Sequence, residues 1–309
     1  MKLLLVYPRG FCAGVVRAVQ TVEKALQLYG APIYVKHEIV HNQHVVNRLK
    51  ERGAIFIEDL QTVPEGSFLI YSAHGVAPQV RQIARQRKLK EIDATCGLVA
   101  KLHWAAKRFA AKGFQIVLIG KKNHVEVMAT AAEEPQSTHV VQTVAEVEAL
   151  PLAATAQVFY MIQTTLSIED VQGMVAALQK KFKSLQSMPA ASVCYATANR
   201  QKALLQVIDR AQLVLVIGDQ KSSNSNRLKE LASKRGIAAY LINNPKEIQP
   251  AWLANVQTIA LTAGASTPED VVQKCVSALI ELGVQAVEEV RHIDENVIFS
   301  LPQELLAYR

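Results

Sequence analysis

The chain has 309 residues, of which half are hydrophobic and a fifth are charged. This length allows two or three domains, and the composition is typical of a soluble globular protein. The net charge of +7 comes from 34 basic and 27 acidic residues. It suits an anionic partner, but the basic residues are scattered, so we expect no nucleic-acid binding. The first residues are too few for a signal peptide, and no apolar run reaches membrane-spanning length. We therefore expect a cytoplasmic protein with no membrane contact.

Short apolar runs alternate with amphipathic segments along the whole chain. The runs that predict strands are Leu3–Val6, Ala54–Ile57, Phe68–Tyr71, Ile116–Ile119, Val158–Ile162, Leu213–Ile217, Ala239–Ile242 and Thr258–Leu261. The segments that predict helices are 15–28, 98–112, 167–182, 200–211, 222–234 and 268–282. Strands that alternate with helices at this spacing predict an α/β fold with largely parallel sheets.

Three of the four cysteines, Cys12, Cys96 and Cys194, each lie just before a predicted helix. The chain has no C-x-x-C pair, which argues against zinc ribbons and thioredoxin-type chemistry. The repeated layout predicts an internal threefold repeat, with domains at 1–97, 98–191 and 192–282 and a tail at 283–309. Cys275 lies within a predicted helix, and we expect it to pack in the core.

Each third also has polar residues after two of its predicted strands. The candidates are His41 and His74 in the first third, His124, Glu126 and Thr164 in the second, and Ser222, Ser223, Asn224 and Ser266 in the third. Ligands of open parallel sheets bind beyond the carboxyl ends of the strands. Three such domains around a pseudo-threefold axis would direct these residues and the three cysteines at one central cavity.

The chemistry of the candidates predicts a metal cluster and an anionic substrate. Helix starts favour thiolates, and three thiolates in one cavity need a compensating cation. An iron–sulfur cluster accepts cysteine ligands from distant parts of a chain. With three cysteines, a four-iron cluster keeps one iron open as a Lewis acid for a substrate oxygen. The serines, histidines and backbone N–H groups predict a phosphate or diphosphate pocket.

Other interpretations of the same residues remain open at this point. Each cysteine can be a buried core thiol, and a serine before a helix is commonly an N-cap. Glu126 is either a solvated acid at a helix start or a proton source beside the cluster, with the Thr164 hydroxyl extending the relay.

Several long, uncommon motifs then identify a resemblance over nearly the whole chain. They are PRGFCAGV at 8–15, HEIVHN at 37–42, SAHGV at 72–76, DATC at 93–96, QTTLS at 163–167, CYAT-NRQ at 194–201, SSNSNRL at 222–228 and TAGAS at 262–266. The sequence resembles the 4-hydroxy-3-methylbut-2-enyl diphosphate reductases, the LytB-type iron–sulfur reductases of the methylerythritol phosphate route to isoprenoids. The resemblance implies three α/β domains around a central [4Fe-4S] cluster.

The resemblance also implies a role for each candidate residue. Cys12, Cys96 and Cys194 would ligate the cluster and leave one iron open. The substrate-binding residues would be His41, His74, His124, Thr164, Ser222, Ser223, Asn224 and Ser266. The catalytic residues would be Glu126, Thr164 and His124, with Glu126 delivering protons. The implied reaction is reductive dehydroxylation to isopentenyl and dimethylallyl diphosphate, with electrons from a ferredoxin or flavodoxin.

The chain departs from the family pattern at three positions. Gly97 and Val125 stand where the family usually has proline, and Ala198 stands where it usually has threonine. Proline at a first helical position presets its backbone angle, so we expect a changed rate or cluster robustness with the same reaction. The alternatives are a non-redox iron–sulfur hydro-lyase acting on an allylic diphosphate and a diverged paralogue of low activity. A cluster-bearing sensor and a metal-free phosphate-binding protein are further alternatives.

Overall fold

The computed structural model describes residues 1–188 and 193–307, in which strands and helices alternate. The strands are β1 (Lys2–Tyr7), β2 (Ile33–Lys36), β3 (Ala54–Ile57), β4 (Phe68–Tyr71), β5 (Lys90–Asp93), β6 (Gln115–Ile119), β7 (Thr138–Val141), β8 (Gln157–Ile162), β9 (Ser184–Ser187), β10 (Leu213–Ile217), β11 (Ala238–Ile242), β12 (Thr258–Ala263) and β13 (Ala286–Arg291). The helices are α1 (Ala13–Tyr29), α2 (Gln43–Glu51), α3 (Pro78–Gln86), α4 (Gly97–Ala110), α5 (Val125–Ala131), α6 (Val144–Glu148), α7 (Ile168–Lys181), α8 (Tyr195–Val207), α9 (Ser223–Ser233), α10 (Glu269–Glu281) and α11 (Glu304–Ala307). Every strand and helix predicted from the sequence is present.

The chain divides into two compact units. The first comprises Met1–Val16, His41–Arg48 and Tyr195–Ile298, and the second comprises Arg17–Val40, Leu49–Cys194 and Phe299–Arg309. Each unit has its own sheets and its own apolar cores.

The first unit contains one parallel sheet in the order β11-β10-β12-β1-β13. All five residues of β10 are buried, because helices cover both faces of the sheet. Leu215 and Ile217 pack with α10 on one face, while Val214 and Val216 pack with α8 and α9 on the other. Their alternation follows the two-residue period of a strand.

The second unit contains two parallel sheets, in the orders β3-β2-β4-β5 and β7-β6-β8-β9. The same order recurs in the first unit as β11-β10-β12-β1. The predicted fold of three similar, largely parallel α/β sheets is therefore confirmed. The pseudo-threefold axis and the central cavity stay predictions.

The first strand of the chain completes the sheet formed by the C-terminal segment. β1 pairs with β12, and β13, which comes from the predicted tail at 283–309, pairs with the other edge of β1. The predicted domain boundaries stay a prediction, and the one at 191/192 lies outside the described residues.

No helix among the described residues combines the length and the apolarity that crossing a bilayer requires.

Candidate active site

Each of Cys12, Cys96 and Cys194 directly precedes a helix, as predicted, and Cys96 is the N-cap residue of α4. The backbone N–H of each cysteine donates to a carbonyl in the loop after the neighbouring strand. The acceptors are Ala265 for Cys12 (3.1 Å), Ala73 for Cys96 (3.0 Å) and Thr164 for Cys194 (2.9 Å). The same contact in three sheets supports the internal repeat and gives the three thiols equivalent positions within their sheets.

Burial separates these three cysteines from the fourth. Cys12, Cys96 and Cys194 are partly exposed, whereas Cys275 is fully buried in the apolar core between α10 and the sheet of the first unit. Burial and the nearby Glu247 raise the pKa of the Cys275 thiol to about 12. Cys275 is therefore a packing residue, and the three partly exposed thiols are the ones whose chemistry suits a cluster of iron and sulfide.

Glu126 and Thr164 form a buried pair in the second unit. Glu126 lies in the first turn of α5 and is 3% exposed, and Thr164 follows β8. The backbone N–H of Thr164 donates to Oε1 of Glu126, and its hydroxyl donates to Oε2, both at 2.7 Å. Burial raises the pKa of Glu126, and the two hydrogen bonds from Thr164 offset that rise only in part. The carboxyl is thus an acid that holds its proton to a higher pH than an ordinary glutamate.

His124 orients its ring through the backbone of the same helix. It is the N-cap residue of α5, and its Nδ1 accepts a hydrogen bond from the N–H of Glu126 at 3.2 Å. The remaining nitrogen, Nε2, then carries the ring proton and can donate. The ring centroid of His124 lies 6.1 Å from that of His74, with the rings nearly perpendicular. This contact brings the carboxyl ends of β4 and β6 together within the second unit.

The first unit places its candidate residues at the start of α9 and in the loop after β12. Ser222, Ser223, Asn224 and Ser266 are at most 7% exposed. Ser222 caps α9: its hydroxyl oxygen accepts from the N–H (3.3 Å) and the hydroxyl (3.0 Å) of Ser225. Oδ1 of Asn224 accepts the N–H of Ala265 at 2.9 Å, in the loop that also holds Cys12. These residues therefore fix a helix start, whose N–H groups suit an anion.

His41 lies in the same unit, next to the loop after β12. The hydroxyl of Ser266 donates to its backbone carbonyl at 2.9 Å. Asn42 follows, and its Oδ1 accepts the N–H of Val45 at 3.2 Å in the first turn of α2. His41 therefore lies just before the start of α2, in a segment held by these two hydrogen bonds.

Two glycines allow α9 to approach the sheet closely. A Cβ at Gly218, after β10, would lie 2.1 Å from Oγ of Ser225, and a Cβ at Gly264, after β12, would lie 2.0 Å from it. Only glycine leaves room for this serine, and the start of α9 therefore sits directly on the two strand ends.

The backbone at Gly97 and Val125 suits proline. Gly97 and Val125 are the first residues of α4 and α5, and the residues before them, Cys96 and His124, are extended, with ψ of 136° and 134°. An extended residue before a first helical position is the arrangement that proline favours. Proline at either position would stiffen the helix start and fit the backbone that the chain already has there.

Sequence reasoning missed a buried histidine and its carboxylate partner in the second unit. His103 in α4 is 7% exposed, and its Nδ1 lies 2.7 Å from Oε1 of Glu133. The signal was a histidine on the helix face that carries the buried Val99, Leu102 and Ala106, since a polar residue on an apolar stripe needs a partner.

With this geometry in hand, comparisons with known proteins decide the family. The model of the LytB protein family matches residues 3–280. The chain belongs to the LytB family. It is 58% identical over 309 residues to the 4-hydroxy-3-methylbut-2-enyl diphosphate reductase of Protochlamydia amoebophila (strain UWE25), covering 100% of this chain and 99% of that relative. It is 56% identical over 306 residues to the reductase of the same name from Chlamydia pneumoniae, covering 98% of each chain.

Solved structures agree with the sequence comparison. The E-1-hydroxy-2-methyl-but-2-enyl-4-diphosphate reductase from Plasmodium falciparum is 45% identical, with a TM-score of 0.96 over 99% of this LytB chain and 97% of that chain. A second structure is described as (E)-4-hydroxy-3-methyl-but-2-enyl diphosphate reductase, the terminal enzyme of the non-mevalonate pathway. It is 31% identical, with a TM-score of 0.66 over 91% of this chain and 99% of that chain.

Proposed function

We propose that this LytB protein is a 4-hydroxy-3-methylbut-2-enyl diphosphate reductase, the activity for which its full-length relatives are named. The chain is an oxidoreductase of isoprenoid biosynthesis. In the reaction, the substrate takes up two electrons and two protons, loses its allylic hydroxyl as water, and gives isopentenyl or dimethylallyl diphosphate. Identity above one half over the whole length supports this assignment.

The family is one of iron–sulfur enzymes, and we extend this to the ligands. Cys12, Cys96 and Cys194 hold a [4Fe-4S] cluster in this proposal, because they are partly exposed thiols at helix starts. Cys275 does not fit, because its buried thiol keeps its proton. When bound, the cluster supplies electrons and a Lewis-acidic iron that no protein group ligates.

The polar residues after the strands bind and orient the diphosphate in this proposal. The N-terminus of α9 offers backbone N–H groups and a capping serine, which together favour an anion. The binding set is His41, His74, His124, Thr164, Ser222, Ser223, Asn224 and Ser266. The burial of the serines and Asn224 supports this role, because buried hydrogen-bond donors can replace the water around the diphosphate.

The pair of Glu126 and Thr164 is the observation that supports the proton-delivery step best. Burial raises the pKa of Glu126, which favours the protonated carboxyl that a proton donor needs. Once it has donated, the two hydrogen bonds from Thr164 stabilise the carboxylate that remains. His124 accepts the backbone N–H of Glu126 on Nδ1, and in this proposal its Nε2 donates to the substrate.

The remaining parts of the proposal concern the electron donor and the cellular compartment. A ferredoxin or flavodoxin delivers the electrons, and the net charge of +7 favours such acidic donors. The enzyme acts in the cytoplasm and uses neither nucleic acid nor a membrane as partner.

The direct test is an anaerobic assay of cluster-loaded protein with the diphosphate substrate and a low-potential reductant, with products identified by mass spectrometry. Isopentenyl and dimethylallyl diphosphate should form, and Glu126→Gln should remove most turnover while iron content stays unchanged. Product formed without reductant would favour the hydro-lyase, and slow turnover with intact iron would favour the low-activity paralogue.

A further inference from the structure

His103, which the sequence analysis did not single out, is buried in the same unit as the proposed proton donor Glu126. His103 is 7% exposed and lies seven residues after Cys96, on the same helix, α4. Its Nδ1 donates to Oε1 of Glu133 at 2.7 Å, and Nζ of Lys107 lies 2.7 Å from Oε2 of the same carboxylate. Burial opposes the charge on Glu133, but the hydrogen bonds from His103 and Lys107 outweigh it and lower the pKa. A charged Glu133 can only accept, which places a proton on Nδ1.

The adjoining Cε1–Nε2 edge of the His103 ring fills the space beside Gly75. A Cβ at Gly75 would lie 2.8 Å from Cε1 and 3.0 Å from Nε2 of His103, and the glycine has a φ of +80°. Nε2 is buried and has no hydrogen-bond partner among the described residues. This edge of the ring therefore contacts Gly75 through van der Waals packing and makes no hydrogen bond within the described part of the chain.

Gly75 belongs to the turn after β4, which holds one proposed substrate-binding residue and contacts one proposed cluster ligand. His74 is its neighbour in the chain, and the carbonyl of Ala73 accepts the N–H of Cys96. Because the ring of His103 packs directly on this turn, its flat edge supports the turn that carries His74.

Glu133 connects the other edge of the ring to the helix of the proton donor. α5 begins at Val125, and the N–H of Glu133 donates to the carbonyl of Thr130 in its last turn at 3.2 Å. The bond from His103 to Glu133 thus ties α5, with Glu126 in its first turn, to α4. His103 is also close enough to act electrostatically on the Glu126 carboxyl.

We propose that His103 is a positioning residue whose two edges set two halves of the active site separately. The ring edge against Gly75 places His74 for the diphosphate, and the Nδ1 bond to Glu133 places Glu126 for proton delivery. This inference rests on the proposed reductase function.

Two substitutions of His103 test the contact with Gly75 and the hydrogen bond to Glu133 separately. His103→Phe keeps a flat ring beside Gly75 and loses the donor to Glu133, which retains Lys107 as a partner. We expect KM to stay within about twofold of the original and kcat to fall by about 10- to 100-fold, the cost of misplacing a catalytic group by roughly 1 Å. His103→Asn keeps a donor near the Nδ1 position and loses the ring edge. We expect KM to rise by about tenfold with kcat within about threefold, because binding contacts are lost and proton delivery is kept.

Matched variants check the same bond from its other end. Glu133→Ala leaves the ring in place and should reproduce the kinetics of His103→Phe, so a His103 variant that fails to fold does not prevent the test. Glu133→Gln keeps an acceptor and should retain kcat within about threefold. Lys101→Ala, at an exposed position of α4, controls for changes to the helix itself.

A second measurement does not depend on turnover. Calorimetric binding of inorganic diphosphate should weaken by about tenfold in His103→Asn and stay unchanged in His103→Phe, as KM does, with iron per chain equal in all variants. The proposal is overturned if KM and kcat move together by the same factor in both His103 variants, or if neither moves. If the original protein shows no turnover, the proposed function fails. The diphosphate series then still decides the His74 half of the inference.

Discussion

Replacing Thr164 by valine tests the proton-delivery pair with the smallest change in shape. The substitution removes the hydroxyl that donates to Oε2 of Glu126 at 2.7 Å and keeps the backbone N–H that donates to Oε1. A hydrogen bond to a charged group contributes about 1.5–3 kcal/mol. The carboxylate gains this contribution only after Glu126 has given up its proton. We therefore expect turnover to fall by about 10- to 100-fold, at about 1.4 kcal/mol for each factor of ten.

The pH profile gives the sign of the effect. The bonds from Thr164 lower the pKa of Glu126 against the rise that burial causes, so Thr164→Val should raise that pKa further. Glu126 then keeps its proton to a higher pH, and the alkaline limb of the rate profile should move upward.

The assay is anaerobic turnover between pH 6 and 10 with a chemical reductant, with iron content measured in each sample. Thr164→Ser keeps the hydroxyl and serves as the control, with activity close to the original. Equal loss in the serine and valine variants, or a valine variant with normal turnover, would refute the assigned role of the hydroxyl.

Three further predictions concern the supports of the site. Gly97→Pro should raise the unfolding free energy by about 0.4–1 kcal/mol and slow cluster loss in air, because proline suits this helix start; thermal melting and the decay of the cluster absorbance check this, and a lowered melting temperature would contradict it. Asp93→Asn should cost about 1–3 kcal/mol at pH 7. Although burial opposes the charge, the nearby Arg81 and hydrogen bonds lower the pKa of Asp93. Its stabilisation is therefore fully present above the unfolded pKa of about 3.9 and is lost as pH falls from that value through the lower folded pKa, so denaturant unfolding should show the difference shrinking progressively below about pH 4. Gly264→Ala should destabilise by about 1–3 kcal/mol and weaken diphosphate binding, because the new Cβ meets Ser225 at 2.0 Å; unchanged calorimetric affinity would show that α9 need not lie this close.

The strongly apolar parts of the fold followed from the sequence, and the polar parts did not. Leu213–Ile217 was predicted to the residue because a fully buried strand is apolar at every position. The strand Lys90–Asp93 was missed because its polar residues are satisfied by partners distant in sequence, as Asp93 is by Arg81. Such partners are set by tertiary packing and leave no local pattern.

Helix starts show the same difference. The helix predicted at 200–211 begins earlier, at Tyr195. The pattern of apolar residues did not indicate this first turn, because Thr197 and Arg200 are polar yet buried. Arg200 is satisfied by Glu295 and by the carbonyl of Gly10, far from it in the chain. Periodicity of apolar residues could not reveal this turn.

The site followed from spacing for the cysteines and from resemblance for most roles. The positions of Cys12, Cys96 and Cys194 before helices were readable from the sequence alone. The contact between Glu126 and Thr164 was expected only as a relay, and the structure gives it two hydrogen bonds. Glu126 and Thr164 meet because they follow β6 and β8, which are neighbours in one sheet. The sequence does not give that strand order.

Iron per chain in anaerobically prepared variants tests the central claim most directly. The original protein should hold about four irons, and so should Cys275→Ala, because Cys275 is buried in the core. Serine in place of Cys12, Cys96 or Cys194 should lower the iron content in each single variant. Full iron in any of these three serine variants, or iron lost only in Cys275→Ala, would contradict the account.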